Sequence, residues 1–180
     1  MIWSYQEVIK KYKSDYQINK AINDNCLIKI EKGIYSDKKI VNPLAIMAKK
    51  YPDAIVTLDN AFYYYKLTDT IPRKIYLSTD NRASKITDKR VEQIYILSKY
   101  FKLGITKIKI DGIDINIYDR ERLLVELLRK KNIIPIDYYK EIIKNYREII
   151  DELDMQKVDL YISKFSNSDI IYNTLQREVF

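Results

Sequence analysis

The chain has 180 residues, 47% of them apolar, with a formal net charge of +7 and a pI near 9.2, so it can bury one ordinary core or a core with a small satellite domain. It contains no histidine, which excludes Ser-His-Asp and Cys-His catalysis and histidine-bound zinc. Gly33, Gly104 and Gly112 are its only glycines and none lies at phosphate-loop spacing from another, so neither a Walker loop nor a dinucleotide fingerprint can be written. No catalytic residue, metal site or cofactor is expected, and binding is favoured over chemistry.

The opening segment "MIWSYQEVIKK" has no long apolar run, and nowhere does the chain approach the ~20 apolar residues of a membrane span. A soluble, cytoplasmic protein with no membrane partner is the expectation. Ser4 and Glu7 have the spacing of a capping box, in which the hydroxyl takes an orphan amide and the carboxylate reaches back. A helix is predicted there, with Tyr5, Val8, Ile9 and Tyr12 on one apolar face. Ser14 and Gln17 repeat the spacing and open a second helix, whose inner face would be Ile18, Ala21 and Ile22. Its outward positions, Tyr16, Asn19, Lys20 and Asn23, carry side chains able to meet base edges or phosphates.

After this helix, "CLIKIEKGIY" reads as a strand, a tight turn at Lys32-Gly33 and a return strand through Ile34 and Tyr35. Cys26, the lone cysteine, excludes an intramolecular disulfide, suits a reducing compartment, and is expected to be buried between helix and strand. Helix, turn, helix and hairpin in this order predict a winged helix-turn-helix, with Lys29 and Lys32 on the wing suited to the DNA backbone. A protein-docking module is the bland reading of the same unit. "SDKKIVNP", Ser36 to Pro43, reads as a linker, which divides the chain into residues 1–42 and 43–180.

The second part begins with a short helix, "PLAIMAKKY", that should stop at Tyr51 before Pro52. "AIVTL" predicts a buried strand over 54–58, "NAFYYYKL" a helix capped by Asn60, and "KIYLS" another strand. A basic block follows. Residues 73–109 hold ten Lys and Arg against three acids, whereas 110–180 hold eleven against fourteen. Arg73, Lys74, Arg82, Lys85, Lys89 and Arg90 are the proposed centre of an electrostatic face for DNA or another anionic target, a solvated surface being the alternative.

In "ITKIKIDGIDINIY" isoleucines alternate with polar residues about Asp111-Gly112, a strong hairpin signal because a type I′ turn needs positive φ at both central positions. "DRERLLVELLRKK" follows as a helix with Leu123, Leu124, Leu127 and Leu128 inward. Glu121 and Glu126 stand five residues apart, too far around the helix to share a face, so they are not read as a catalytic pair, and Arg120, Glu121 or Arg122 are expected to hydrogen-bond the preceding hairpin. A further helix carries the stripe Tyr138, Ile142, Tyr146 and Ile149, and two shorter helices near 156–165 and 168–178 close the chain. The fold class is therefore α+β: a small winged helix-turn-helix, then an antiparallel or mixed sheet with packed helices.

Taken together, "EKGIY", "KYPDAIVTLDNAFYYYKLTDTIPRKIYL", "YDRERLLVELLRKK" and "QREVF", in this order and spacing, resemble the AbiEi family, the antitoxins of the abortive-infection AbiE toxin-antitoxin systems. The resemblance covers nearly the whole chain. It implies a bacterial phage-defence antitoxin of type IV: an N-terminal DNA-binding domain that represses its own operon at promoter inverted repeats, and a C-terminal antitoxin domain. Its functional partner would be a nucleotidyltransferase toxin, with no stable complex required. Carried onto this chain, the DNA-reading residues are Tyr16, Gln17, Asn19, Lys20 and Asn23, with Lys29 and Lys32 on the wing.

Two readings from other classes stand beside it. One is a winged-helix transcription regulator whose C-terminal domain senses a ligand or dimerises. The other is a metal-dependent nuclease: Pro52-Asp53 before a strand resembles the opening of a PD-(D/E)xK pattern, but Asp88-Lys89-Arg90 has the wrong residue for its second half.

Overall fold

A computed structural model describes all residues, 1–180, as an α+β protein with two sheets. No helix is long and apolar enough to cross a membrane. The chain forms two compact units, Met1–Ala54 with Lys107–Asn116, and Ile55–Thr106 with Ile117–Phe180.

In the first unit, β1 (Ile2–Ser4) leads into α1 (Tyr5–Tyr12), α2 (Asp15–Asn23) and the hairpin of β2 (Ile28–Glu31) and β3 (Ile34–Ser36), followed by α3 (Pro43–Lys50). Both sequence-predicted starts are real. Ser4 and Glu7 form the full reciprocal box at α1, whereas at α2 the Ser14 hydroxyl accepts from the Gln17 amide at 3.3 Å. Strand β1 was not expected. It pairs antiparallel with β3, giving the order β1-β3-β2, so Ser4 both ends a strand and caps a helix. The Gly33 carbonyl accepts from the Tyr5 amide at 2.8 Å, so the hairpin turn satisfies one of the orphan donors of α1. Gly33 sits at φ +79°, in the left-handed region where a side chain is disfavoured.

Val8, Ile18, Ala21, Leu27 and Tyr35 form the core of this unit, with Trp3, Ile9, Tyr12 and Ile22 packed on it. Val8, Ile9 and Tyr12 of α1 and Ile18, Ala21 and Ile22 of α2 point inward as predicted, whereas Tyr5, placed on the same face, is exposed and turns its hydroxyl to Asp15. Cys26 is exposed, not buried, because α2 stops at Asn23 and Asn25 turns the chain at φ +57° before β2 begins.

The boundary expected after residue 42 falls inside this unit. Helix α3 packs on β1 and β3, with Lys49 bonded to Glu7 at 2.6 Å and Lys50 to Glu31 at 3.2 Å. The same unit holds the tip of a second hairpin, where the Asp111 carboxylate accepts from the Asn42 amide at 2.9 Å and Asn116 donates to the Pro52 carbonyl at 3.1 Å.

That hairpin joins β7 (Ile105–Ile110) to β8 (Ile113–Tyr118), and Asp111 and Gly112 both take positive φ, as their dipeptide predicts. With β4 (Ile55–Val56), β5 (Ile75–Asp80) and β6 (Val91–Ile96) these strands form a mixed sheet in the order β6-β5-β4-β8-β7. Strand β4 runs antiparallel to β5 and parallel to β8, and β5 runs parallel to β6. The strand expected over 54–58 is shorter because Leu58, at φ +45°, turns the chain straight into α4 (Leu58–Tyr64). Thr57, not Asn60, stands at the start of that helix. Asn60 is buried and its Oδ1 accepts from the Tyr76 amide at 2.6 Å.

The remaining helices of the second unit are α5 (Ser98–Phe101), α6 (Arg120–Arg129), α7 (Ile136–Glu148), α8 (Met155–Ser163) and α9 (Ser168–Glu178). On α7 the buried stripe is Tyr139, Ile142, Ile143 and Tyr146, with Tyr138 and Ile149 at its margin. Helix α6 packs against α4, α8 and α9 and is buried from Glu121 to Leu128 on every side.

Of the charged residues of α6 only Arg122 faces the preceding hairpin, and it does so over the ring of Tyr118 at the end of β8 rather than through the expected hydrogen bond. Glu121 accepts from the Asp154 amide at 3.0 Å, and Arg120 reaches Glu152 at 2.7 Å. Arg122 is fully buried and pairs with Glu126 at 2.6 Å, while Glu126 also holds Arg129 at 2.8 Å. No nitrogen of the Arg122 guanidinium finds a well-aligned hydrogen-bond acceptor, and the cation lies 5.3 Å from the Tyr118 ring centroid and 5.0 Å from that of Phe165. Gly104, at φ +76°, gives the arginine its room: a Cβ there would lie 2.5 Å from Arg122 Cβ.

Candidate nucleic-acid interface

The physical basis of the α2 face is a division of labour within nine residues. Ile18 and Ala21 fill the core, which fixes the rotation of the helix and turns Tyr16, Gln17, Asn19, Lys20 and Asn23 to solvent. Tyr16 is 75% exposed, a large aromatic ring that this chain leaves unburied on a face otherwise made of amide and amine groups. At its N-terminus the helix is fixed by the Ser14 cap and by the Tyr5 hydroxyl, which donates to the Asp15 carboxylate at 3.0 Å. That carboxylate pushes the Tyr5 phenol above its ordinary range.

Next to α2, the β2–β3 hairpin carries Lys29 and Lys32, both exposed. Its register shifts between Lys29 and Glu31, a bulge that bends the hairpin just before the turn. The acids of α1 and the hairpin are engaged elsewhere. Glu7 and Glu31 pair with Lys49 and Lys50 of α3, and although burial raises the Glu7 pKa, its bonds to Lys49 and to the Ser4 amide bring it below the ordinary range. Lys29 and Lys32 form no ion pair within their unit, so their charge is available to an anion.

The basic block of the second unit is less uniform than its sequence suggests. Strands β5 and β6 run parallel with Ile75 opposite Val91, which brings Arg73 and Lys74 beside Lys89 and Arg90 at one end of the pair. Arg82 and Lys85 lie on the crossover beyond Asp80 and do not join them at that end. All six are exposed, but Lys74 bonds Glu92 at 2.7 Å, Arg82 bonds Asp80 at 3.1 Å and Arg90 bonds Asp88 at 2.6 Å. Hydrogen bonds from Arg82 hold the Asp80 carboxyl down at about 2, so this acid stays charged beside the cation. Arg73, Lys85 and Lys89 make no ion pair. Each of the block's three acids pairs with one of its cations, so among the six named residues the charge that no acid of the block neutralises is on Arg73, Lys85 and Lys89.

No group of three or more Cys, Asp or Glu side chains is placed to hold a metal ion. Asp88 is committed to Arg90, and Asp53 is an exposed turn residue before β4. The burial of Arg122 and Glu126 was missed by periodicity. The signal was the unbroken "LLVELL" run, which leaves no polar stripe wide enough for a half-exposed helix.

No protein-family model matches the chain, and no curated protein is similar to it at a significant level.

Proposed function

We propose that the chain is a DNA-binding repressor and antitoxin of an abortive-infection toxin-antitoxin system of type IV, a cytoplasmic binding protein rather than an enzyme. In this reading α1, α2 and the β2–β3 hairpin make a winged helix-turn-helix, α2 enters the major groove of promoter inverted repeats, and Lys29 and Lys32 contact phosphates. The single observation that carries it is the face of α2: Tyr16, Gln17, Asn19, Lys20 and Asn23 are all exposed on a helix whose other side is locked into the core, next to a hairpin bearing two exposed lysines. A base-reading helix needs both halves of that arrangement, rigid backing and an uncommitted polar front.

The antitoxin part of the reading rests on the resemblance to the AbiEi family. The functional partner is then a nucleotidyltransferase toxin, counteracted without an obligatory stable complex, and Arg73, Lys74, Lys85 and Lys89 with Arg82 and Arg90 are the surface proposed to act on DNA or on an anionic target shared with the toxin.

Lys20→Ala with Asn23→Ala in the full chain is the decisive variant. Each lost base contact costs about 1–3 kcal/mol, so promoter binding in a gel shift should fall at least tenfold while competitor DNA is bound as before. Retained specific binding removes the proposal. Lys32→Ala should weaken binding to all sequences and lower the salt slope by about one. For the antitoxin function, co-expression of the full chain with the product of a neighbouring nucleotidyltransferase gene should restore growth, and failure to rescue from an active toxin leaves a plain DNA-binding regulator.

A further inference from the structure

Helix α7 carries a feature that the DNA-reading face does not use. Lys140, Lys144 and Arg147 follow one another at helical spacing, and together with Lys131 they line a cleft of about 270 Å³ beside the end of α9. Successive residues on such a stripe stand about 5–6 Å apart between Cβ atoms, so the cations reinforce one another. The surrounding sequence makes this unexpected, since residues 110–180 are acidic overall and yet four of their eleven basic residues line this one cleft.

Glu178 is the only acid in the lining, and it is already taken. Lys131 Nζ bonds one of its oxygens and the Tyr139 hydroxyl donates to the other at 2.5 Å. Those bonds outweigh burial and hold the Glu178 carboxyl below its ordinary range. Arg147 donates Nε to the Glu178 carbonyl at 2.8 Å and commits no other nitrogen. Lys140 and Lys144 are exposed and form no ion pair. Four cations against one carboxylate leave a net three positive charges around a small volume. Its floor is apolar, made by the buried faces of Tyr139 and Ile143 with Ile136 at the mouth.

We propose that this cleft binds a compact polyphosphate, of which a nucleoside triphosphate is the fitting class, with the phosphates on Lys140, Lys144 and Arg147 and the nucleoside against the apolar floor. Charge density decides between this and an acidic peptide. A phosphate group carries about −1.5 to −2 charge at neutral pH and three acceptor oxygens, and linked phosphates share bridging oxygens. Carboxylates on a peptide helix repeat at about the same 5–6 Å as these cations but bring one charge each, whereas linked phosphates concentrate several charges in one ligand small enough for the cleft. Arginine and lysine side by side suit the ligand chemically, the first as a fork for two oxygens and the second as a mobile point charge.

The test is calorimetric titration of the full-length chain with ATP, CTP, inorganic tripolyphosphate, adenosine and an eight-nucleotide single-stranded DNA. Both triphosphates and tripolyphosphate should bind, adenosine should not, and Lys140→Glu with Lys144→Glu should weaken binding at least tenfold. Lys157→Glu with Lys164→Glu, exposed on and just after α8, should leave triphosphate affinity unchanged. Because Lys140 and Lys144 are exposed the fold should survive, and Lys140→Gln with Lys144→Gln gives the same readout should the reversed charges impair expression. Absence of triphosphate binding at millimolar ligand, or equal binding by wild type and the α7 variants, overturns the proposal. So does an oligonucleotide held through Lys140 and Lys144 when free triphosphates are not. Promoter binding is read separately through Lys20 and Asn23, so failure of the DNA reading and failure of this cleft are distinguishable.

Discussion

Helices α2 and α6 are of similar length and solve opposite problems. The first buries two residues and offers the rest to solvent, whereas the second buries eight in a row, among them Glu121, Arg122 and Glu126. Their difference teaches where charge can be spent. On α2 a lysine costs nothing to display and is free to meet a partner. On α6 a guanidinium without water must be balanced within its own walls, and Glu126 with the Tyr118 and Phe165 rings does so.

The largest break in this comparison is Glu126→Ala. It leaves Arg122 buried without its counter-ion, which should cost about 3–5 kcal/mol in urea unfolding. Replacing both partners, Arg122→Met with Glu126→Leu, should return most of that loss. A double variant as unstable as the single one shows that the ion pair is not the source. Gly104→Ala acts on the same centre from outside, adding a methyl group in a left-handed backbone position against Arg122 Cβ. Overpacking of this kind costs about 1–3 kcal/mol, read from the same unfolding curves.

Changes on α2 should be milder for stability. Ser14→Ala removes the cap and should lower stability by about 1 kcal/mol, and under the proposed DNA-binding function promoter affinity should fall in parallel as the start of the helix frays. Mild acid sharpens the contrast least. The Glu7 carboxyl is lowered in the folded chain, so its contribution is present above the ordinary glutamate range near 4.3 and is lost as pH falls through the folded value. Glu7→Gln should reduce the acid-side slope of stability slightly, since the Lys49 pair is partly exposed.

How far the sequence could be read follows the same division. The two serine caps and Asp111-Gly112 were legible because each is a local device: a hydroxyl that accepts an amide, and a dipeptide that tolerates positive φ. The α2 face was legible because two buried apolar positions fix the exposure of the others. Strand β1 was not, since three residues show no alternation, and its partner β3 lies some thirty residues away. Cys26 was misjudged because the residue that turns it outward, Asn25, has a conformation its identity permits without requiring. Which cations of the basic block stay unpaired was not legible, because a balance of ten against three does not say which acid folds against which cation. The cleft on α7 was invisible for the converse reason: its lysines sit in an acidic third of the chain, and only the turn of the helix gathers them.

Trp3, the one tryptophan in the chain, lies in β1 against the small core of the first unit, with the Lys11 amine 5.2 Å from its ring centroid. Indole emission is therefore a built-in label for that unit alone, while the 17 tyrosines are spread through both. A melt followed at tryptophan wavelengths sees the small core open, and one followed by far-ultraviolet dichroism sees the whole chain. Superimposable curves make the two units one cooperative body, and an earlier indole transition makes the first a separately melting module, without any engineered probe.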